Sequence, residues 1–149
     1  MQSLVEKIIQ SQVGLDLNIS YSAILSLPIT HINLDINYSS SNEEWGHIYY
    51  KGLILDCPLV KHGIHIENGV LPWDFVAATS KKEKLVVNSR KDFNIINGIS
   101  FIQTSSTHKY SIAIGTDYNK DFYSEILMRK TELNELLLEV VSGLYSTSR

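Results

Sequence analysis

The sequence predicts an α+β fold: an α/β/α sandwich with a central antiparallel sheet, helices on both faces and a long C-terminal helix. Three observations predict it. Two pairs of β-branched and aromatic runs sit close enough in sequence to form hairpins. Capped, helix-like segments lie between and before them. A last stretch, from about residue 119 to 145, repeats apolar residues with helical spacing.

The elements follow in order. "SLVEKIIQ" places Leu4, Ile8 and Val5 on one face of a short helix with Ser3 as N-cap. "ISYSAILSL" reads as a strand ahead of Pro28. In "THINLDINY", Ile32, Leu34 and Ile36 alternate with His31, Asn33, Asp35 and Asn37, the pattern of a half-buried strand, and the two runs predict a hairpin. "SSSNEEW" reads as a helix start, with Ser41 and Glu44, or Ser40 and Glu43, as a capping box. That helix is expected to reach about Lys51 and break at Gly52. Asp56 can cap a following short helix that carries Pro58 in its first turn. "HIENGVLPWDF" reads as a turn-rich crossing. "SKKEKLVVNSRKDF" reads as a helix capped by Ser80, with "KKEK" as its solvated face. "GISFIQT" and "KYSIAIG", separated by "SSTH", predict a second hairpin. In the long last helix Phe122, Ile126, Leu133, Leu136, Leu137, Val140, Val141 and Leu144 cover more than one stripe, so it is expected to meet both the sheet and a partner.

Bulk properties exclude several classes of function. The 149 residues fit one domain, and 44% hydrophobic content is globular. A net charge of −3 gives no footprint for nucleic acid. One cysteine permits no internal disulfide, and neither a signal-peptide core nor a membrane span of about 18 apolar residues is present, so a cytoplasmic location is expected.

Catalytic constellations are missing. His62 and His65 have no third ligand nearby in sequence, so a surface pair is favoured over a metal site. Cys57 has no adjacent base to activate it. Glu43 and Glu44 are consecutive and do not share a helix face. No glycine-rich phosphate loop occurs. No enzyme activity and no cofactor are expected.

One stretch stands out. In "NEEWGHIYYKGLILDCPLV", Trp45 and Tyr49 lie at i and i+4 and project from one helix face, followed by Asp56-Cys57-Pro58 and, later, Trp73. By itself that face reads as core. The order and spacing of these residues resemble the autoinducer-binding domain of LuxR-type quorum-sensing regulators. Residues 92 to 117 agree, with Gly98 at the place of a glycine that opens a strand and Ser111 at that of a pocket-facing serine. The resemblance spans roughly residues 1 to 145.

The resemblance implies a small-molecule signal, such as an N-acyl-homoserine lactone, bound between sheet and helices. Trp45 would donate to the lactone carbonyl and Asp56 would accept from the amide N–H. Tyr49 and Ser111 would meet the amide carbonyl, and Trp73 would cover the ligand. Tyr38 falls in a loop where the family often has a tyrosine. The family sets aspartate directly before proline, whereas Cys57 intervenes here, so either Asp56 serves from a slipped position or Cys57 fills the site. The apolar residues wrapping the long helix, among them Leu137, Leu138, Val141 and Leu144, predict a homodimer interface, and the resemblance implies DNA contact only through a helix-turn-helix domain outside this sequence. A second reading treats the chain as a ligand-independent dimerisation module, or a truncated inhibitor, in which Trp45 and Tyr49 are core.

Overall fold

The computed structural model describes residues 20–29, 36–117 and 121–128, together with residues 131, 134, 135, 138, 139 and 142. Five strands form one antiparallel sheet: β1 (Tyr21–Pro28), β2 (Asn37–Ser40), β3 (Gly69–Pro72), β4 (Asn97–Thr104) and β5 (His108–Thr116). Their spatial order is β2-β1-β5-β4-β3. The helices are α1 (Glu43–Ile48), α2 (Pro58–Gly63), α3 (Lys81–Asp92) and α4 (Phe122–Met128). The α+β class is as expected, with helices around a central antiparallel sheet. The helix expected at Ser3 and the strand residues Ile32 and Leu34 lie outside the described residues. So does most of the long C-terminal helix, of which Phe122–Met128 forms α4.

The expected β4–β5 hairpin has its reason in strand alternation, while β1 pairs with a partner that overlaps the expected run only at Asn37 and Tyr38. In β1, Tyr21, Ala23, Leu25 and Leu27 share a face and pair with Gly115, Ala113, Ser111 and Lys109 of β5. Across β4 the same face continues through Gly98, Ser100 and Ile102. The other face carries Ile24, Ile99, Phe101, Ile112 and Ile114, all buried. Helix α4 meets β4 and buries Phe122 and Ile126.

Three local expectations are corrected. The partner of β1 begins at Asn37, so Ser39 and Ser40, read as helix start, are strand residues paired with Ile24 and Ala23. Asn42 caps α1 in their place, its side chain accepting from the Trp45 N–H at 3.0 Å. "GVLP", read as a crossing, is the edge strand β3, and an edge accepts Pro72, which has no N–H to pair. Before Pro58, Cys57 and not Asp56 is the N-cap residue, without a side-chain cap.

Helix α3 agrees with its expected bounds. Ser80 caps it through the Glu83 N–H at 3.1 Å, and Glu83 accepts from the Thr79 N–H and from Lys61 Nζ. The Thr79 amide first, and then Lys61, hold the Glu83 carboxyl down at about 2. The helix ends in a Schellman motif, with Ile95 N–H donating to Arg90 O and Asn94 N–H to Lys91 O. Asn94 takes the left-handed position at φ 60°.

Candidate functional site

The sheet face bearing Tyr21, Ala23 and Leu25 is roofed by α1, α2 and α3, and a cavity lies between the two layers. Its internal volume is about 60 Å³, room for a handful of waters at the roughly 10–15 Å³ each requires. Tyr21, Tyr38, Tyr49, Trp73, Arg90 and Ser100 line one part of it. Leu25, Leu27, Leu59, Val60, Ile102 and Lys109 line another, with Ser111 and Ala113 from β5. A second cavity, of about 210 Å³, shares Leu59, Trp73 and Arg90 with the first.

Helix α1 runs into a π-helical turn, Tyr49–Leu53, where a straight α-helix to Lys51 was expected. Trp45 and Tyr49 still share the inward face, with ring centres 5.4 Å apart. Tyr49 in turn lies 4.9 Å from the Tyr38 ring, and the Tyr38 and Tyr21 hydroxyls are hydrogen-bonded to each other. Trp45 is fully buried in the core cluster with Tyr49, Cys57 and Trp73. Its indole N–H has no hydrogen-bond partner, although the Tyr21 phenol is close enough to feel it.

Trp73 stands on Gly98. A Cβ at Gly98 would run into the six-membered edge of the indole, so the glycine is what lets the ring lie against β4. The Trp73 N–H is spoken for: it donates to Ser100 Oγ at 3.0 Å. The Tyr21 ring meets Trp73 edge-on, with centres 6.4 Å apart.

Four of the sequence-predicted residues, Tyr38, Tyr49, Trp73 and Ser111, are together on the cavity wall. Trp45 lies behind Tyr49. Asp56 is half-buried and does not line the cavity, whereas the next residue, Cys57, is fully buried beside Arg90, whose Nη2 is 3.4 Å from Sγ. Sequence reasoning missed Tyr21, Ser100, Lys109 and Arg90. The alternation of "YSAILSL" already sets Tyr21 on the face of Leu25, and the same period sets Ser100 and Lys109 beside Ser111 once the hairpin is registered. Arg90 gave no such signal, because an arginine in the last turn of a helix ordinarily satisfies the helix dipole in water.

Burial pushes the Tyr49 phenol well above its ordinary value, with the nearby Cys57 adding to the shift. Burial also raises Tyr21 and Tyr38. All three phenols are therefore neutral at physiological pH and keep their protons for hydrogen bonding, one of them already used between Tyr38 and Tyr21. The wall thus combines neutral donors, aromatic faces, aliphatic surface and one deep cation. Such a surface has the chemistry to accommodate a small amphipathic molecule; among the described residues lining it, no nucleophile is paired with a base.

Known proteins share this arrangement of layers. CepR2 of Burkholderia cenocepacia, an N-acylhomoserine lactone dependent LuxR-family transcription factor, superposes with a TM-score of 0.61 at 12% identity over 90% of each chain. The LBD domain of VqsR from Pseudomonas aeruginosa gives 0.69 at 12% identity, over 94% of this chain and 93% of that one. The chain has the fold of LuxR-family autoinducer-binding domains. Escherichia coli SdiA gives 0.62 at 13% identity, and the chain spans 62% of SdiA's length. SdiA has also been solved in complex with octanoyl-rac-glycerol. No protein-family model and no curated protein matches the sequence. Within this fold, Trp45 lies on α1, Tyr49 opens the π turn, Trp73 follows β3, and Gly98 and Ser111 lie on β4 and β5; Tyr49, Trp73 and Ser111 line the cavity.

Proposed function

We propose that this chain is the sensory domain of a LuxR-type transcription regulator and that its cavity receives a small amphipathic signal. One observation carries the reading: a cavity between sheet and helices is walled by Tyr38, Tyr49, Trp73 and Ser111, with the buried Trp45, whose N–H makes no hydrogen bond of good geometry, packed against Tyr49. An unpaired buried donor costs about 1–3 kcal/mol, and a ligand carbonyl reaching it would remove that cost. An N-acyl-homoserine lactone supplies such a carbonyl, and so does a monoacylglycerol. The reading carries with it a cytoplasmic setting, a homodimer and DNA contact through a domain outside this sequence. Exposed Leu127, Met128 and Leu138 support the dimer. Among the described residues, no helix is long and apolar enough to cross a membrane.

The test is a thermal-shift panel of acyl-homoserine lactones, monoacylglycerols and fatty acids, run on the wild type and on Trp45→Phe. A true signal present at a hundredfold its Kd stabilises by about 2.7 kcal/mol. In Trp45→Phe the shift should shrink by about 1–3 kcal/mol for a ligand that accepts from the indole. A panel in which nothing moves the wild-type midpoint overturns the reading.

The second reading, a ligand-independent interaction module, is favoured by the full burial of Trp45 within the core cluster. It expects Trp45→Phe to change folding stability alone, and the protein to be dimeric by sedimentation with no compound present.

A further inference from the structure

Helix α3 buries two residues, Val86 and Arg90, four positions apart and so on one face. A valine there is ordinary core. An arginine is not, because a guanidinium cannot shed its proton, and a buried cation is costly unless paired. Arg90 is only 6% exposed. Its Cζ stands 5.0 Å from the centre of the Trp73 ring and 5.5 Å from those of Trp45 and Tyr49.

Three ring faces offset part of the cost of burying the charge. They do nothing for the N–H groups at the edge of the guanidinium plane. Nη2 finds only the Cys57 thiol, a weak acceptor, and the Nε–H is buried with no partner. Arg90's partners among the described residues include no carboxylate.

The rest of the wall points the same way. Arg90 and Lys109 are the charged residues lining the cavity, and both are cations. Lys109 is engaged, donating to Ile66 O and Thr104 Oγ1. Arg90 is the one left with an idle donor. Asp56, which would accept the N–H of an amide ligand, lies off the cavity. A pocket whose charged lining residues are cations concentrates anions.

We propose that the ligand is an organic acid: an ionised carboxylate with a short apolar tail, paired with the Arg90 guanidinium, its tail running along Leu25 and Leu27. This rests on the sensory reading above and narrows it. The carboxylate supplies the missing counter-charge and the acceptor that Nε lacks. A charge-assisted bond of this kind distinguishes acid from amide by about tenfold or more in affinity.

The probes are octanoate and octanamide, which share the tail and the carbonyl and differ in charge. N-octanoyl-homoserine lactone and octanoyl-glycerol complete the set. Calorimetric titration of the full chain should give octanoate a Kd at least about tenfold below that of octanamide. Arg90→Gln should bring the two together, and Arg90→Lys should keep part of the difference. With arginine labelled by nitrogen-15, the Arg90 Nε–H resonance should move on adding octanoate and stay with octanamide, a readout that holds even where Arg90→Gln fails to fold. Equal affinity for acid and amide, an unmoved resonance under saturating octanoate, or undiminished octanoate binding by Arg90→Gln overturns the proposal. Binding of the lactone or the glyceride with none of the acid overturns the anionic ligand and leaves the receptor standing. Failure of all four probes overturns both.

Discussion

At the residue scale, the contact between Gly98 and Trp73 ties the sheet to the pocket. A methyl group at Gly98 meets a rigid indole that is itself held by Ser100, so neither side can yield cheaply. Gly98→Ala should lose about 1–3 kcal/mol or more, the range for overpacking. In a Trp73→Ala background the same change should cost much less, because the obstructing ring is gone. A double-mutant cycle by urea denaturation checks it, and simple additivity would mean that the two sites do not touch. The buried phenols give a second expectation. Folded Tyr21 and Tyr49 titrate above the ordinary value of about 10 that the unfolded chain retains. Below pH 10 both states hold the proton and these groups add no pH dependence. As pH rises from about 10 towards the folded values, the unfolded chain loses its protons first, and stability falls. Phenolate absorbance from these two residues should therefore appear together with loss of circular dichroism. Reversible titration near pH 10 in the folded protein would refute it. The shared face of Trp45 and Tyr49 was legible in the sequence because helical spacing is local, and Trp73 was singled out only by the resemblance in order and spacing. Arg90 was not, since only the tertiary placement of α3 turns a helix-terminal arginine into a buried one.

At the element scale, the end of α3 decides where Arg90 sits. Arg90 O accepts from the Ile95 N–H, so the Schellman motif pins the very residue that reaches into the pocket. The motif needs a left-handed residue, and Asn94 supplies it at φ 60°. Asn94→Gly should keep or slightly raise stability, whereas Asn94→Ala should lose about 1 kcal/mol, the cost of placing an ordinary side chain in that conformation. Thermal denaturation of the two variants separates them, and an alanine variant as stable as the wild type would show that the turn relaxes to another conformation. What the sequence concealed among the elements also has physical causes. Strand β3 is four residues long, contains Gly69 and Pro72, and lies on an edge; each feature removes strand signal. Strand β2 hides in a serine run because its partner β1 fixes its register and its own side chains do not. The "GISFIQT" and "KYSIAIG" hairpin was plain, since its β-branched alternation and short link need no tertiary context.

At the scale of the whole molecule, the cavity lies on the seam between two layers of unequal strength. Strands β1, β4 and β5 are eight or nine residues long; β5 is bonded along its length on both sides, and β1 and β4 are bonded along theirs to β5 and over four residues to the edge strands. Helices α1 and α2 have six residues each, too few to be stable without tertiary packing. Between them the chain passes through a π turn and a 3-10 turn, both poorer in hydrogen-bond geometry than an α-helix. The roof is thus the part expected to open locally, while the sheet opens only with the whole fold. The small cavity adds to this: at about 60 Å³, it admits an eight-carbon chain only if the roof shifts outward before closing over it. A ligand that touches Tyr49 and Leu59 above and Leu25 and Ser111 below binds the closed roof and not the opened one. Amides of residues 43 to 63 should therefore exchange with solvent more slowly once the ligand is bound, by a factor that grows with ligand concentration. The measurement is native-state hydrogen exchange by mass spectrometry, using whichever probe gives the largest thermal shift. Slowing confined to the sheet peptides, with residues 43 to 63 unchanged at saturation, would place the ligand elsewhere and remove the roof from the mechanism.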